Sequence, residues 1–208
     1  MGIGGVMTLE ECLAIYGKDY FSGGGHISGY TEYADAKPVL LQWGYMVDQV
    51  FEPESLLDVG AAYGYMLDFF APRRIRVAGV EPSEYARSKS RIPLIAGNLP
   101  TLPIADGERY HTVTCTEVLE HVPEAVIPES LQELARVTDK YLVMLIMLEG
   151  WKSDDDVGHV CVKTADWWNE QLDRTGLKRR KDLEGTLNTH PYSIGMKWSG
   201  RFFVRERQ

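Results

Sequence analysis

The sequence predicts an α/β domain built on a doubly wound, mostly parallel sheet, and three observations predict it. Apolar stretches of strand length alternate with segments of helical periodicity along most of the chain. One stretch, Tyr141-Leu142-Val143-Met144-Leu145-Ile146-Met147-Leu148, is apolar almost throughout, as a central strand covered on both faces is. Another, Leu56-Leu57-Asp58-Val59, runs into a corner of small residues, Gly60-Ala61-Ala62-Tyr63-Gly64, and then into the apolar run Tyr65–Phe70. A strand that turns into a helix through such a corner is a cradle for a ligand. The missing side chains let a ligand lie against the backbone, and the helix start offers unpaired N–H groups.

Each element has its own local reason. Thr8 and Glu11 form a capping box that opens a short helix to about Ile15. Tyr20 to Tyr33 interleaves glycines with aromatics and reads as a flap able to close over a ligand, so residues 1–36 form an N-terminal unit ahead of a domain over 37–208. Val39, Leu40, Trp43, Met46, Val47 and Val50 recur at helical spacing, giving a helix over about 37–50. The first strand is about 55–59 and the helix after the corner ends at Ala71-Pro72. A second strand covers about 75–81 and ends on Glu81, and Pro82-Ser83 opens a short polar helix to about Ser90. Pro93–Ala96 is the third strand and Tyr110–Cys115 the fourth. A helix follows Pro128 and buries Leu131, Leu134 and Val137; the apolar stretch 141–148 is the fifth strand. Thr164 caps a helix that places Trp168 and Leu172 on one side and closes at Gly176. Leu177–Leu183 and Arg201–Arg205 are the last two strands, joined by a long connection from Gly185 to Gly200 that carries His190, Tyr192 and Trp198.

The corner discriminates between ribose-bearing cofactors. A dinucleotide fingerprint needs a third small residue for helix–strand packing, and counting from Gly60 that place holds Tyr65. Asp58, two residues before the first glycine, would repel a pyrophosphate but suits a cationic ligand end. Glu81 lies about 20 residues on, the spacing at which a carboxylate accepts from both hydroxyls of a ribose.

Asp58-Val59-Gly60-Ala61-Ala62-Tyr63-Gly64 resembles motif I of the class I S-adenosylmethionine-dependent methyltransferases, with Ala62 in place of the middle glycine. Gly97-Asn98-Leu99-Pro100 resembles that family's adenine-binding turn, with Asn98 in place of an aspartate, and Glu117-Val118-Leu119-Glu120-His121 resembles its E-V-L-E-H motif. The resemblance spans about residues 55–205 and implies a Rossmann-like sheet of seven strands, the last inserted antiparallel. It implies S-adenosylmethionine as co-substrate. Asp58, Gly60, Ala62 and Gly64 face its methionine part, Glu81 with Pro82 its ribose, and Asn98 with Leu99 its adenine; Glu117 follows the fourth strand in the same series.

Methyl transfer from a sulfonium has an activated leaving group, so the protein aligns the nucleophile and removes its proton. His121 and His159 are the candidates for that proton, and the loop Asp156–Val160, which resembles loops of sugar O-methyltransferases, favours His159. O-methylation of a small polar acceptor such as a sugar is the first reading. N-methylation of an amino sugar or amine and a silent nucleotide-binding module are alternatives. A third alternative uses Glu117, Glu120 and His121, at i, i+3 and i+4, with His159 as a mixed O/N site for a divalent metal; it is the less favoured use of those residues.

Composition excludes several classes. A formal net charge of −8 argues against a broad grip on nucleic acid. The one basic cluster, Lys178-Arg179-Arg180-Lys181, reads as a solvated strand edge. Cys12, Cys115 and Cys161 form no C-x-x-C pair and fit a reducing, cytoplasmic setting. No stretch approaches the roughly 18–20 apolar residues of a membrane span, and Met1–Met7 has neither a signal-peptide core nor a myristoylation site.

Overall fold

Alternation between two apolar faces organises the fold. The computed structural model describes residues 7–22, 33–150, 158–195 and 200–208. A capping box opens helix α1 (Leu9–Ile15), with the Thr8 N–H donating to Glu11 Oε2 at 2.7 Å and the Glu11 N–H donating to Thr8 Oγ1 at 3.3 Å. Helix α2 is Lys18–Phe21, and α3 (Lys37–Phe51) starts with Pro38 in its first turn, where the missing N–H costs nothing. Strand β1 (Ser55–Val59) then enters the corner and helix α4 (Tyr65–Phe70) leaves it. Strand β2 (Arg76–Glu81), helix α5 (Glu84–Lys89), strand β3 (Ile95–Ala96) and strand β4 (Tyr110–Thr116) follow. Helix α6 (Ile127–Val137), strand β5 (Thr138–Met147), helix α7 (Ala165–Asp173), strand β6 (Lys178–Arg179), helices α8 (Lys181–Asn188) and α9 (Pro191–Gly195) and strand β7 (Gly200–Glu206) complete the chain.

The seven strands lie in the order β3-β2-β1-β4-β5-β7-β6. Strands β1 to β5 pair in parallel, and β7 inserts antiparallel between β5 and β6. Successive residues of a strand face opposite layers. On one face Leu57, Val59, Leu142, Met144 and Ile146 pack with Leu131, Leu134, Trp168 and Leu172. On the other, Leu56, Val143, Leu145, Phe202 and Val204 pack with Trp43, Met46, Leu67 and Phe70. Each such side chain contributes about 1.5–3 kcal/mol on leaving water, before the cost of ordering the chain. Both layers leave the carboxyl ends of β1, β2, β4 and β5 on one rim, where an open α/β sheet binds its ligands.

Two expectations are corrected. Leu177–Leu183 is not a continuous strand: pairing stops after Arg179, and Lys181–Asn188 is helical. Leu183 and Leu187, one turn apart, pack on β7, and Glu184 between them is buried, with Oε1 accepting from the Val204 N–H at 3.2 Å and from Arg205 at 3.0 Å. A helical period serves those contacts and a strand period does not. The connection from Gly185 is correspondingly no long loop, since it holds the rest of α8 and all of α9; Trp198 lies outside the described residues. Two of the four basic residues of the cluster are held in ion pairs, Arg179 with Glu184 at 2.8 Å and Arg180 with Asp182 at 2.6 Å and Glu206 at 2.8 Å.

Candidate active site

The site starts where β1 ends. Asp58 is buried at the rim, and Thr114 on the neighbouring β4 donates its hydroxyl to Asp58 Oδ1 at 2.8 Å. Burial pushes the Asp58 carboxyl up to about 7; the Thr114 bond pulls the other way, and the charge of Glu81 adds to the rise.

The backbone beyond it turns sharply. Gly60 has φ +79°, and a β-carbon there would stand 2.3 Å from Val118 Cγ2, so only glycine fits. Ala62 has φ +48°, which shows what the departure from glycine means: the residue keeps the left-handed turn at the expense of strain, about 1–2 kcal/mol for an L side chain. The corner is pinned to β2, because the N–H groups of Gly60 and Ala61 both donate to Val80 O, at 2.9 and 3.1 Å.

Glu81 ends β2 with its carboxylate spanning two elements. Its Oε2 accepts the Ala62 N–H at 2.8 Å and its Oε1 accepts the Ser83 N–H at 2.8 Å. Burial raises its pKa and these two N–H bonds lower it. Each carboxylate oxygen has two acceptor positions, so one on each remains for a ligand. Pro82 is fixed through its carbonyl, which accepts from Arg87 Nη1 at 2.6 Å. Beyond β3, the Asn98 side chain donates through Nδ2 to Leu99 O at 2.7 Å, across a turn in which Leu99 is buried.

After β4 the chain makes a second unusual turn. Glu117 has φ +54°, its N–H donates to Leu145 O at 2.8 Å, and its Oε1 lies 2.7 Å from where a β-carbon on Gly200 would stand. Leu119–His121 is a single 3-10 turn, so Glu117, Glu120 and His121 do not share a helix face. Instead Glu120 turns inward and is wholly buried. Its Oε1 accepts the Met147 N–H at 3.1 Å, and its carbonyl accepts the N–H groups of Val160 and Cys161, both at 2.9 Å. Those two bonds tie the loop after β5 to the turn after β4 and bring His159 beside His121, ring centroids 4.6 Å apart. Burial pushes the Glu120 carboxyl up to about 6, against the opposing pull of a backbone N–H and of His159. Asp154–Asp156 lies outside the described residues.

The N-terminal helices close this rim. Phe21 and Tyr63 are buried together with ring centroids 5.5 Å apart, and Tyr16 meets His121 edge-on at 5.5 Å. The remainder of the Tyr20–Tyr33 segment, residues 23–32, lies outside the described residues. Sequence reasoning singled out Asp58, the corner and Glu81, which the structure brings to one rim. It did not single out Thr114, a hydroxyl in an otherwise buried strand that bonds Asp58, or the Ser83 N–H that bonds Glu81, which leaves no trace in the sequence.

Comparison with known proteins places this geometry. A family profile described as a methyltransferase domain matches residues 30–181. No curated protein matches the chain in sequence. Among solved structures, a SAM-dependent methyltransferase from Archaeoglobus fulgidus superposes with a TM-score of 0.63 at 12% identity, covering 82% of this chain and 94% of that one. Magnesium protoporphyrin IX methyltransferase from Synechocystis PCC 6803, with bound SAM, gives 0.60 at 15% identity, covering 91% and 89%. The [4+2]-cyclase SpnF gives 0.59 at 14% identity, covering 80% of each chain, so the fold alone does not fix the reaction. The match over most of the chain, on a sheet of this strand order, carries the assignment: the chain belongs to the class I S-adenosylmethionine-dependent methyltransferases.

Proposed function

We propose that the protein transfers the methyl group of S-adenosylmethionine to a hydroxyl of a small polar acceptor, such as a sugar, in the reducing cytoplasm. The observation that carries this reading is the pairing of His121 and His159 at the strand rim, held by Glu120 from below. In this reading Asp58 faces the cationic end of the donor, Glu81 takes the ribose hydroxyls, and the Asn98 oxygen accepts from the adenine amino group, with Pro82 and Leu99 alongside. The N-terminal unit, residues 1–36, carries the Tyr20–Tyr33 flap, and the packing of Phe21 on Tyr63 and of Tyr16 on His121 supports its place over the site.

A hydroxyl is a poor nucleophile until it loses its proton, and a pair of imidazoles at the rim suits that step. The acceptor oxygen attacks the methyl carbon as the carbon–sulfur bond breaks. The proton passes to His159, with His121 beside it, and the products are a methyl ether and S-adenosylhomocysteine. The test is transfer of isotopically labelled methyl to a panel of sugars and amino sugars, with the position of the label read by mass spectrometry and NMR. A methyl ether is expected. A methyl group found on nitrogen throughout the panel refutes the reading.

A further inference from the structure

The histidine pair has a feature that proton transfer leaves unexplained. One ligand atom from each of Glu120, His121 and His159 can be chosen so that all three lie within 4.8 Å of one another. Three atoms that coordinate one tetrahedral ion at about 2.0–2.2 Å stand roughly 3.3–3.6 Å apart, so the widest pair here closes by at most about 1–1.5 Å, within reach of side-chain rotation.

Glu120 supplies an independent observation. The residue is 0% exposed, and its Oε2 is sealed from solvent with no N–H or hydroxyl of the described residues donating to it, whereas Oε1 is held by the Met147 N–H. A buried carboxylate oxygen with no donor of its own is costly, and a cation held between it and the two imidazoles would remove that cost. Two imidazole nitrogens and one carboxylate oxygen are the donor set of first-row transition ions, whereas Mg²⁺ and Ca²⁺ prefer oxygen throughout.

We infer that Glu120, His121 and His159 bind one divalent transition-metal ion, of the class of Zn²⁺, Mn²⁺ or Fe²⁺, at the rim of the sheet. Three protein ligands leave positions open for an acceptor oxygen, and an ion there acidifies a bound hydroxyl. With the ion bound, His159 would serve as a ligand and the acidified hydroxyl's proton would leave to solvent water; without it, His159 takes the proton as above. This role rests on the methyltransferase reading, whereas the binding does not.

The test uses the full chain without any acceptor. The protein is stripped with a chelator, dialysed, and titrated with Zn²⁺ by calorimetry and with Co²⁺ by visible absorption. One equivalent per chain is expected, with visible bands from the cobalt form. His159→Ala and Glu120→Gln should each weaken Zn²⁺ binding by at least about a hundredfold, the upper end of what loss of a mere supporting contact costs. Both variants should still show the thermal shift that S-adenosylmethionine gives the wild type, which certifies their fold. Absence of saturable Zn²⁺ and Co²⁺ binding overturns the inference, as does binding unchanged in both variants. Displacement of Zn²⁺ by an equal concentration of Mg²⁺ overturns the assignment of nitrogen ligands. Lack of any S-adenosylmethionine shift in the wild type instead refutes the donor site and leaves the metal titration standing.

Discussion

Asp58 gives the sharpest test of how the donor is held. Its carboxyl, raised by burial from an ordinary 3.8 to about 7, is close to half protonated at neutral pH in the empty protein. S-adenosylmethionine carries a sulfonium and an ammonium, so it binds the ionised form, and the affinity rises with pH through the aspartate's titration. For a pKa of about 7, the ionised fraction grows about eightfold between pH 6 and pH 7.5, and the association constant follows it. Asp58→Asn keeps an acceptor oxygen for Thr114 but removes the charge, and should weaken donor binding by about 10–100-fold, the loss of about 1.5–3 kcal/mol for a charged contact. Stability moves the other way. A raised carboxyl pKa means that ionisation opposes folding: the penalty is absent below pH 4 and grows to about 4 kcal/mol once the pH passes 7, since each tenfold change in proton affinity is worth about 1.4 kcal/mol. The buried amide donors of asparagine cost about 1–3 kcal/mol, so the variant should be about 1–3 kcal/mol more stable at pH 8, with no advantage at pH 4. Calorimetric titration at four pH values and thermal melts at two read both effects. A donor affinity flat between pH 6 and 7.5, together with wild-type affinity in Asp58→Asn, refutes the argument and makes Asp58 a structural residue.

Other predictions follow from single contacts. Gly60→Ala should lose about 1–3 kcal/mol of stability and weaken donor binding, because its β-carbon meets Val118 Cγ2 at 2.3 Å and φ is +79°. Adding Val118→Ala should restore part of the loss in thermal melts, and no restoration means that the clash is not the cause. Glu184→Ala leaves Arg205, which is 0% exposed, with Asp173 and Asn169 as its side-chain partners among the described residues; a cost of about 3–5 kcal/mol is expected in urea unfolding, and a loss under about 1 kcal/mol refutes a structural role for the pair. His159→Ala should cut turnover at least about a hundredfold at unchanged donor affinity, and near-normal turnover removes His159 from the chemistry. Phe21→Ala should speed amide exchange in residues 9–21 while leaving the sheet protected, since Phe21 anchors that segment on Tyr63; uniform protection means that the segment is no lid.

The sheet was legible because its strands are apolar on both faces and its corner is spelled in small residues. Leu56 to Val59 and Tyr141 to Met147 cannot be satisfied at a surface, and Gly60 cannot be exchanged where Val118 closes on it. The segment after Gly176 was less legible, because Leu183 and Leu187 are too few to separate a helical period from a strand period. What decided it was Glu184, buried against Arg205, a long-range pairing that local pattern does not contain. The placing of Asp58 and Glu81 on one rim could be read from their spacing, which is set by one β-α-β unit. The histidine side of the rim could not be read in the same way. Glu117, Glu120 and His121 suggest a shared face only if they are helical, and a residue at φ +54° followed by a single 3-10 turn sends them in different directions. His159 reaches His121 through two backbone bonds to Glu120 O, and backbone bonds across loops leave no signature in residue types.

The central claim is that the corner from Asp58 to Gly64, closed by Glu81, holds S-adenosylmethionine and not a dinucleotide. Calorimetric titration of the full chain with S-adenosylmethionine, S-adenosylhomocysteine and NAD tests it most directly. One equivalent of each of the first two is expected, with no binding of NAD. Binding of NAD without binding of either methyl-cycle ligand would contradict it.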